Sequence, residues 1–325
     1  MPELTSTYQP AWWLPGAHLP SIWGKKGRRH ALVHDRIERW ATPDGDHLSV
    51  ARAGLVSAGK PHLLILHGLE GTVRSNYVQG LMAQARRRGW SADLLIFRGC
   101  DGDINNQRRL YHSGETTDID FVVRELIAGH PDISLRLVGV SLGGNVLLKW
   151  LGEQGEALPS NVVRAAGVSV PYDLAVGSRF LEWWLGQLYV DHFMKSLKEK
   201  TRAKRTHFPD LCDWTRLDNA RTFWDFDDAV TGPVHGFSGA LDYYSKSSSI
   251  HFLPDIRRPT MLLNAKDDPF LPADVLDRVR NISQNNNFLN TEFTRRGGHV
   301  GWTEGPIWSP RYYMEEKVMK WLNDE

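Results

Sequence analysis

The stretch LRLVGVSLGGNVLLKWL, from Leu135 to Leu151, places a serine between an apolar run and a helix-like run. Within it, Gly139, Ser141 and Gly143 form a G-x-S-x-G motif. Acyl transfer needs a serine on a strained turn between a strand and a helix, where the helix N-terminus favours developing negative charge. Gly144 is expected to let that helix pack closely on the sheet. Because the motif is short enough to arise by chance, the alternative is that Ser141 is a non-catalytic residue in a turn lined by glycines.

A serine nucleophile also needs a general base and an acid that orients the base. The strand-like run TMLLN is followed by AKDDPFLP, so Asp268 lies in a loop at a strand end, before Pro269, and is the expected acid. His299, in the glycine-rich stretch RRGGHVGW, is the expected base. Along the chain, Ser141 comes first, Asp268 second and His299 third. This is the order expected when a nucleophile, an acid and a base each follow a strand of a mostly parallel sheet. Asp267 is expected to cap the following helix instead.

The tetrahedral intermediate of acyl transfer carries an oxyanion that two backbone N–H groups would stabilise. The first expected donor is Leu142, directly after the serine. The second is Leu69, in the loop LHGLEGTVRS after the strand-like run HLLILHG. A plain turn between strand and helix is the alternative for that loop. Together these features predict Ser-His-Asp chemistry, in which Asp268 would fix the tautomer of His299 and stabilise its imidazolium.

Near-continuous apolar runs alternate with amphipathic runs from His62 onwards. This alternation predicts the α/β class, with a mostly parallel twisted sheet covered by helices on both faces. Before it, the alternating segment RIERWATPDGDHLSVARAG has the turn signal Asp44-Gly45, which predicts an N-terminal antiparallel hairpin. Residues 1–325 are expected to form a single domain.

One segment is too long for this pattern. About 85 residues separate the runs VPYDL and TMLLNA, whereas a simple strand–helix–strand crossover needs roughly 30. Residues 174–258 are therefore predicted to be an inserted, mostly helical cap over the carboxyl ends of the strands, where ligands bind in open sheets. Its many aromatic residues would form either a small core of its own or a groove for an acyl chain. Its basic stretch, Lys195 to Arg205, is expected to be a solvated helix face rather than a membrane-surface contact.

The composition argues against nucleic-acid binding, a membrane span, secretion and disulfide bonds. The net charge is +1 in 325 residues, so no global field favours nucleic acid. No apolar run approaches the roughly 18 residues of a membrane span, and the N-terminus lacks the pattern of a secretory signal. With only Cys100 and Cys212, a cytoplasmic protein without disulfides is expected. Neither a metal constellation nor a phosphate-binding glycine loop is present, so no metal and no cofactor are expected.

Three further polar residues receive structural interpretations. Arg98 is expected to pair with an acidic loop residue such as Asp101 or Asp103. Cys100 is expected to pack rather than act as a second nucleophile. His112 is expected to be a satisfied structural histidine, with a supporting role at the site as the alternative.

These residues resemble the α/β-hydrolase superfamily, and more narrowly the bacterial esterases of the YheT type, which are related to eukaryotic α/β-hydrolase-domain lipases and to yeast medium-chain fatty acid ethyl ester synthases. The resemblance implies the α/β-hydrolase fold, with Ser141 as nucleophile, Asp268 as acid and His299 as base, acting on medium-chain or lipid-like acyl esters. Two departures are Asn264, where many members have glycine, and HLPSIW, where relatives commonly have a Gln-Thr pair. The stretches that carry the resemblance span nearly the whole chain: HLPSIWG, HGLEGTVRSNYVQGL, FRGCDGDINNQRRLYHSGETTDI, GVSLGGNVLLKWLGE, FDDAVTGPVHGFSGALDYY, NAKDDPF and GGHVGW.

The leading prediction is a serine carboxylic ester hydrolase that acts through an acyl-enzyme on a small-molecule or lipid-like ester. An acyltransferase, in which an alcohol resolves the acyl-enzyme, needs the same residues and stays open. A non-catalytic binding protein on the same fold is the alternative from another class, and the intact Ser, Asp and His set argues against it. The sequence predicts neither the acyl length, the substrate-binding residues nor the oligomeric state.

Overall fold

Eight strands form the central sheet in a computed structural model, which describes residues 4–28, 31–57 and 59–323. They are β1 (Arg36–Ala41), β2 (His47–Ala53), β3 (Pro61–Leu66), β4 (Ser91–Ile96), β5 (Ser134–Val140), β6 (Val162–Val168), β7 (Thr260–Ala265) and β8 (Leu289–Thr294). Their order is β1-β2-β4-β3-β5-β6-β7-β8. The hairpin β1–β2 joins β4 antiparallel, and all pairs from β4 to β8 are parallel. The predicted fold class and N-terminal hairpin are confirmed.

Helices cover the sheet on both faces. Because successive side chains of a strand point to opposite faces, the complete burial of β4, β7 and β8 requires cover on both. The helices are α1 (His18–Ile22), α2 (Asn76–Arg87), α3 (Thr117–Gly129), α4 (Leu142–Gln154), α5 (Leu174–Phe180), α6 (Trp184–Ala203), α7 (Trp214–Asn219), α8 (Phe223–Phe226), α9 (Gly232–Val234), α10 (Ala240–Ser247), α11 (Ala273–Gln284) and α12 (Tyr313–Leu322). In the described parts of the chain, no helix is both long and apolar enough to cross a bilayer.

Short elements complete the fold. Strands β9 (Thr303–Glu304) and β10 (Arg311–Tyr312) form a separate antiparallel pair. Single helical turns of 3₁₀ or π type span Trp23–Gly27, Gly155–Ala157, Asp227–Thr231, Ser249–His251 and Leu253–Asp255.

The chain between β6 and β7 is helical, with α5 to α10 in sequence. It contains apolar clusters that are separate from the main core around the sheet. Burying these side chains against one another gives the segment a driving force for folding of its own. The two clusters consist mainly of Leu181, Val190, Met194, Leu217, Phe226 and Val230 in one, and Leu174, Ala240, Tyr243 and Tyr244 in the other.

The basic stretch Lys195 to Arg205 is only partly the solvated face that the sequence predicts: Lys195, Arg202 and Arg205 are exposed, but two lysines turn inward. Lys204 is buried, and its ammonium donates a hydrogen bond to the carbonyl oxygen of Asn105 at 3.0 Å. Burial lowers the pKa of Lys204 to about 8. Lys200 turns towards the sheet, with its Nζ 2.8 Å from Oε1 of Glu70. The expectation is therefore wrong for these two lysines, which anchor α6 to the loops beneath it.

Arg98 lies just beyond β4 and is buried among carboxylates. Its Nη1 is 2.7 Å from Asp46 Oδ2, and its Nη2 is 2.7 Å from Asp118 Oδ1. The expected pairing with Asp101 or Asp103 is wrong. The antiparallel register between β2 and β4 brings the turn before β2 opposite the residues after β4, so a partner distant in sequence lies nearer than the adjacent loop.

Removing Arg98 should cost much more stability than removing an exposed arginine. Arg98→Met would leave Asp46 and Asp118 buried without this counter-charge, so we expect a loss of about 3–5 kcal/mol in unfolding free energy. The matched variant Arg39→Met removes an exposed ion pair with Asp103, and should cost about 1 kcal/mol or less. Denaturant unfolding measures both, and equal losses would contradict the proposed role of the buried cluster.

Candidate active site

Ser141 occupies the single residue between β5 and α4. Its φ of 54° and ψ of −123° lie in a region that residues other than glycine rarely adopt. A Cβ on Gly143 would lie 2.6 Å from the carbonyl oxygen of Leu66, and one on Gly139 would lie 2.7 Å from Cα of Gly144. The glycines of the motif are therefore required by backbone contact, and they allow the helix to start directly above the strand ends.

The structure brings the three predicted site residues within hydrogen-bonding distance of one another. Nε2 of His299 is 3.0 Å from Oγ of Ser141, and Nδ1 of His299 is 2.9 Å from Oδ2 of Asp268. Asp268 is buried, and its Oδ1 also accepts a hydrogen bond from the N–H of Phe270 at 2.8 Å. With the imidazole proton on Nδ1, Nε2 can accept the proton of the serine hydroxyl. This arrangement can convert a hydroxyl into a nucleophile.

Two polar side chains whose contacts the sequence does not predict hold the loop of His299. The N–H of His299 donates to Oγ of Ser21, in the HLPSIW stretch of α1, at 2.8 Å. The N–H of Gly298 donates to Oδ1 of Asp267 at 2.9 Å. No sequence signal links Ser21 to a loop so distant along the chain.

The expectation that Asp267 caps a helix is wrong. Helix α11 has Pro272 at its N-cap position and no capping side chain. Because β7 and β8 are neighbours in the sheet, the loops that follow them face each other, and Asp267 meets the glycine loop instead. Burial and the nearby charge of Asp268 raise the pKa of Asp267, while the bond from Gly298 opposes the rise.

The loop after β3 packs directly against the serine. A Cβ on Gly68 would lie 3.1 Å from Cβ of Ser141. His67 is fully buried, donates from Nδ1 to the carbonyl oxygen of Gly68 at 2.7 Å, and accepts the N–H of Phe97 on Nε2 at 3.1 Å. Burial lowers the pKa of His67 to about 4, so this histidine stays neutral near pH 7. It fixes the shape of the turn.

The two expected oxyanion donors, Leu69 and Leu142, both line the cavity that contains Ser141. Leu142 begins α4, so its N–H belongs to the helix N-terminus, where backbone donors lack intrahelical partners. Their role in holding an oxyanion stays a prediction.

Backbone strain is concentrated around this site. In the described residues, four amino acids other than glycine have positive φ: Glu70, Ser141, Ser169 and Val300. Ser169 follows β6, and its Oγ accepts a hydrogen bond from the N–H of Val300 at 3.1 Å. Such strained positions cluster at functional sites, where surrounding contacts hold them in place.

A cavity of about 450 Å³ opens onto Ser141 and His299. Aromatic and aliphatic residues of the segment 174–258 form much of the cavity wall. Some of them, such as Leu181 and Tyr243, also belong to the apolar clusters of that segment.

The wall contains the carboxyl groups of Glu70 and Asp227. That of Asp227 accepts hydrogen bonds from Thr231 at 2.6 Å and Tyr244 at 2.7 Å. Burial raises the pKa of Asp227 to about 6.

The structure also defines the surroundings of Cys100 and His112, for which the sequence predicts structural roles, and of Asn145. Burial raises the pKa of Cys100 to about 11, which disfavours a thiolate nucleophile. His112 is buried, and burial lowers its pKa. Asn145, in the first turn of α4, donates to the carbonyl oxygens of Ser113 and Ser247 at 2.8 and 2.7 Å. Within residues 4–28, 31–57 and 59–323, no cluster of three or more His, Cys, Asp or Glu residues is placed to hold a metal ion.

Similarity to known proteins extends over most of the chain. The family model described as alpha/beta hydrolase fold matches residues 61–306. An Escherichia coli (strain K12) protein named "Putative esterase YheT" is 33% identical over 309 residues, which cover 94% of this chain and 89% of the relative. A Saccharomyces cerevisiae protein named "Monoacylglycerol lipase" is 31% identical over 280 residues, covering 82% of this chain and 60% of that longer relative.

Among solved structures, an esterase from Pyrococcus furiosus matches with a TM-score of 0.56 at 14% sequence identity. The match covers 99% of this chain and 94% of that one. At this identity the likeness shows the fold.

Gly143, where the first turn of α4 contacts the end of β3, should not tolerate the methyl group of an alanine. Gly143→Ala would press Cβ against the carbonyls at the end of β3, so we expect a loss of about 2 kcal/mol or more in unfolding free energy. The control is Gly129→Ala at the exposed end of α3, where nothing lies within 4 Å of an added Cβ, and where alanine should leave stability equal or raise it by up to about 1 kcal/mol. Thermal or denaturant unfolding distinguishes them. If the two variants were equally stable, the steric argument would fail.

Proposed function

The chain belongs to the α/β-hydrolase family, and on that premise we propose that it is a carboxylic ester hydrolase with Ser141 as nucleophile. The observation that carries the proposal is the 3.0 Å contact between Oγ of Ser141 and Nε2 of His299 at the wall of a largely apolar cavity. The esterase and lipase names of its relatives support the same class of reaction.

In the proposed mechanism, His299 takes the hydroxyl proton of Ser141 while Oγ attacks the ester carbonyl carbon. The backbone N–H groups of Leu69 and Leu142 hold the resulting oxyanion. His299 then gives its proton to the leaving alcohol, and an acyl-enzyme remains on Ser141. Water attacks this acyl-enzyme with His299 again as base, and the bond between the acyl group and Oγ then breaks, so that the carboxylic acid leaves and Ser141 regains its proton from His299. Asp268 stays ionised throughout and stabilises the imidazolium.

We propose further that residues 174–258 act as a cap and that the cavity takes a medium-chain or lipid-like acyl group. Aromatic and aliphatic walls favour an acyl chain, because transfer of apolar surface from water is favourable. The cap residues that support this proposal line the cavity: Leu174, Leu181, Phe193, Phe223, Tyr243 and Tyr244. A cytoplasmic location stays a prediction from the sequence.

Replacing the nucleophile should abolish turnover. Ser141→Ala is expected to lower kcat/KM for a p-nitrophenyl ester by roughly 10⁴-fold or more, since the attacking oxygen is lost. The control is Ser160→Ala at an exposed position, which should retain wild-type turnover. The assay is run over acyl groups from acetyl to dodecanoyl, which also gives the length preference. Retained turnover in Ser141→Ala would reject the site, and a wild-type protein inactive on the whole series would favour a binding protein.

Water rather than alcohol should resolve the acyl-enzyme. With ethanol added to the ester assay, we expect free acid to exceed ethyl ester, because water is present in large excess over the alcohol. Chromatographic analysis of both products gives the partition ratio. If ethyl ester formation outran hydrolysis, the protein would be an acyltransferase on the same three residues.

A further inference from the structure

The loop that carries Leu69 contains a strained residue whose side chain is glutamate. Residues 68–71 form a turn closed by the hydrogen bond from the N–H of Gly71 to the carbonyl oxygen of Gly68 at 2.9 Å. Glu70 is the third residue of this turn and has a φ of 54°. Turns with positive φ at this position favour glycine or asparagine there. Because glutamate is disfavoured at this position, contacts of its side chain must hold the strained backbone in place.

The carboxylate of Glu70 connects its own loop to the loop of Tyr111 and to α6. Its Oε1 accepts hydrogen bonds from the hydroxyl of Tyr111 at 2.6 Å and from Nζ of Lys200 at 2.8 Å. Its Oε2 accepts a hydrogen bond from the hydroxyl of Ser196. The backbone N–H of Glu70 donates to the same Tyr111 oxygen at 3.0 Å. Side chain and main chain of this one residue are thus both held.

Two of these partners come from the segment proposed as the cap. Ser196 and Lys200 are four residues apart on α6, so they lie on one face of the helix, and that face meets the loop. Lys200 also contacts Sγ of Cys100 at 3.1 Å, which places the ammonium between the cap helix and the sheet.

The charges favour a fixed, ionised Glu70. Burial would raise the pKa of its carboxyl group, but the charge of Lys200 and the hydrogen bonds from three donors outweigh burial and lower it. A charge-assisted contact of this kind is stronger and more directional than a neutral hydrogen bond. The position of the turn is therefore tied to the position of α6.

We propose that Glu70 is a positioning residue for ester hydrolysis: by anchoring the turn of residues 68–71 to Tyr111 and α6, it keeps the N–H of Leu69 aimed at the oxyanion. This inference rests on the hydrolase function proposed above. The oxyanion hole is then completed by the cap, so displacement of α6 disturbs transition-state stabilisation. Glu70 also lines the cavity, but the acyl chain of the ester is held by the apolar cap residues, so ground-state binding changes less than kcat.

The test uses the full-length protein and two variants. Glu70→Gly relieves the strained φ and keeps the turn, but removes the anchor. Glu70→Gln keeps the size and the acceptor oxygen, but loses the ion pair with Lys200. The control is Arg202→Gln, which removes a different, exposed ion pair from the same helix, that with Asp218. Each protein is assayed for kcat and KM on p-nitrophenyl hexanoate, for affinity for a hexyl trifluoromethyl ketone, and for Tm.

The ketone forms a tetrahedral oxyanion adduct with an active serine, so its affinity reports the oxyanion hole. Misplacing one donor should lower kcat of Glu70→Gly by roughly 10- to 100-fold and weaken ketone binding by a similar factor. KM should stay within about twofold, because the apolar cap residues proposed to hold the acyl chain are unchanged in these variants. Glu70→Gln should show a smaller loss of the same kind, and Arg202→Gln none.

Several results would overturn the inference. A ketone affinity within twofold of wild type in both folded variants would do so, and so would a fall in kcat without a matching loss of ketone affinity. Loss of Tm alone would reduce Glu70 to a structural residue. If Glu70→Gly does not fold, Glu70→Gln decides by the same readouts. The hydrolase proposal fails separately, if Ser141→Ala keeps its activity.

Discussion

The site depends on one steric constraint, the close crossing of the first turn of α4 over the carboxyl ends of β3 and β5. Backbone meets backbone there, so positions 139 and 143 have no room for a Cβ. Ser141 absorbs the whole change of direction in one residue and takes a positive φ as a result. Its N–H donates to the carbonyl oxygen of Val168 on the neighbouring strand at 2.8 Å. The sheet itself therefore holds the strained serine in place.

The parallel strands bring the other groups to the same edge. Asp268 follows β7 and His299 follows β8, while β6 lies between β5 and β7. Ser169, the first residue after β6, links this strand to the histidine loop, because its Oγ accepts a hydrogen bond from the N–H of Val300, next to His299. Ser21, from a helix near the N-terminus, holds the histidine backbone from the other side. The loop geometry is thus over-determined by contacts from several elements, which is what strained functional loops require.

Local patterns predict the sheet, the helices and the three residues that the structure brings within hydrogen-bonding distance, because apolar runs, strand-end loops and the glycine motif at Ser141 are local signals. They failed where the partner was set by long-range register. Arg98 was assigned to nearby carboxylates, whereas the β2–β4 pairing supplies others. Lys204 was placed in solvent because a charged run does not reveal which residues face inward. Asp267 and Ser21 act on a distant glycine loop, and no local pattern predicts such contacts.

The proposed hydrolysis requires that Ser141 become covalently acylated. The most direct measurement is acid quenching of the protein during turnover of a p-nitrophenyl ester, followed by mass spectrometry of the intact chain and of its peptides. We expect a mass increase of one acyl group, located on Ser141 and absent in Ser141→Ala. Turnover with the acyl group on another residue, such as Cys100, would contradict the proposal that Ser141 is the nucleophile.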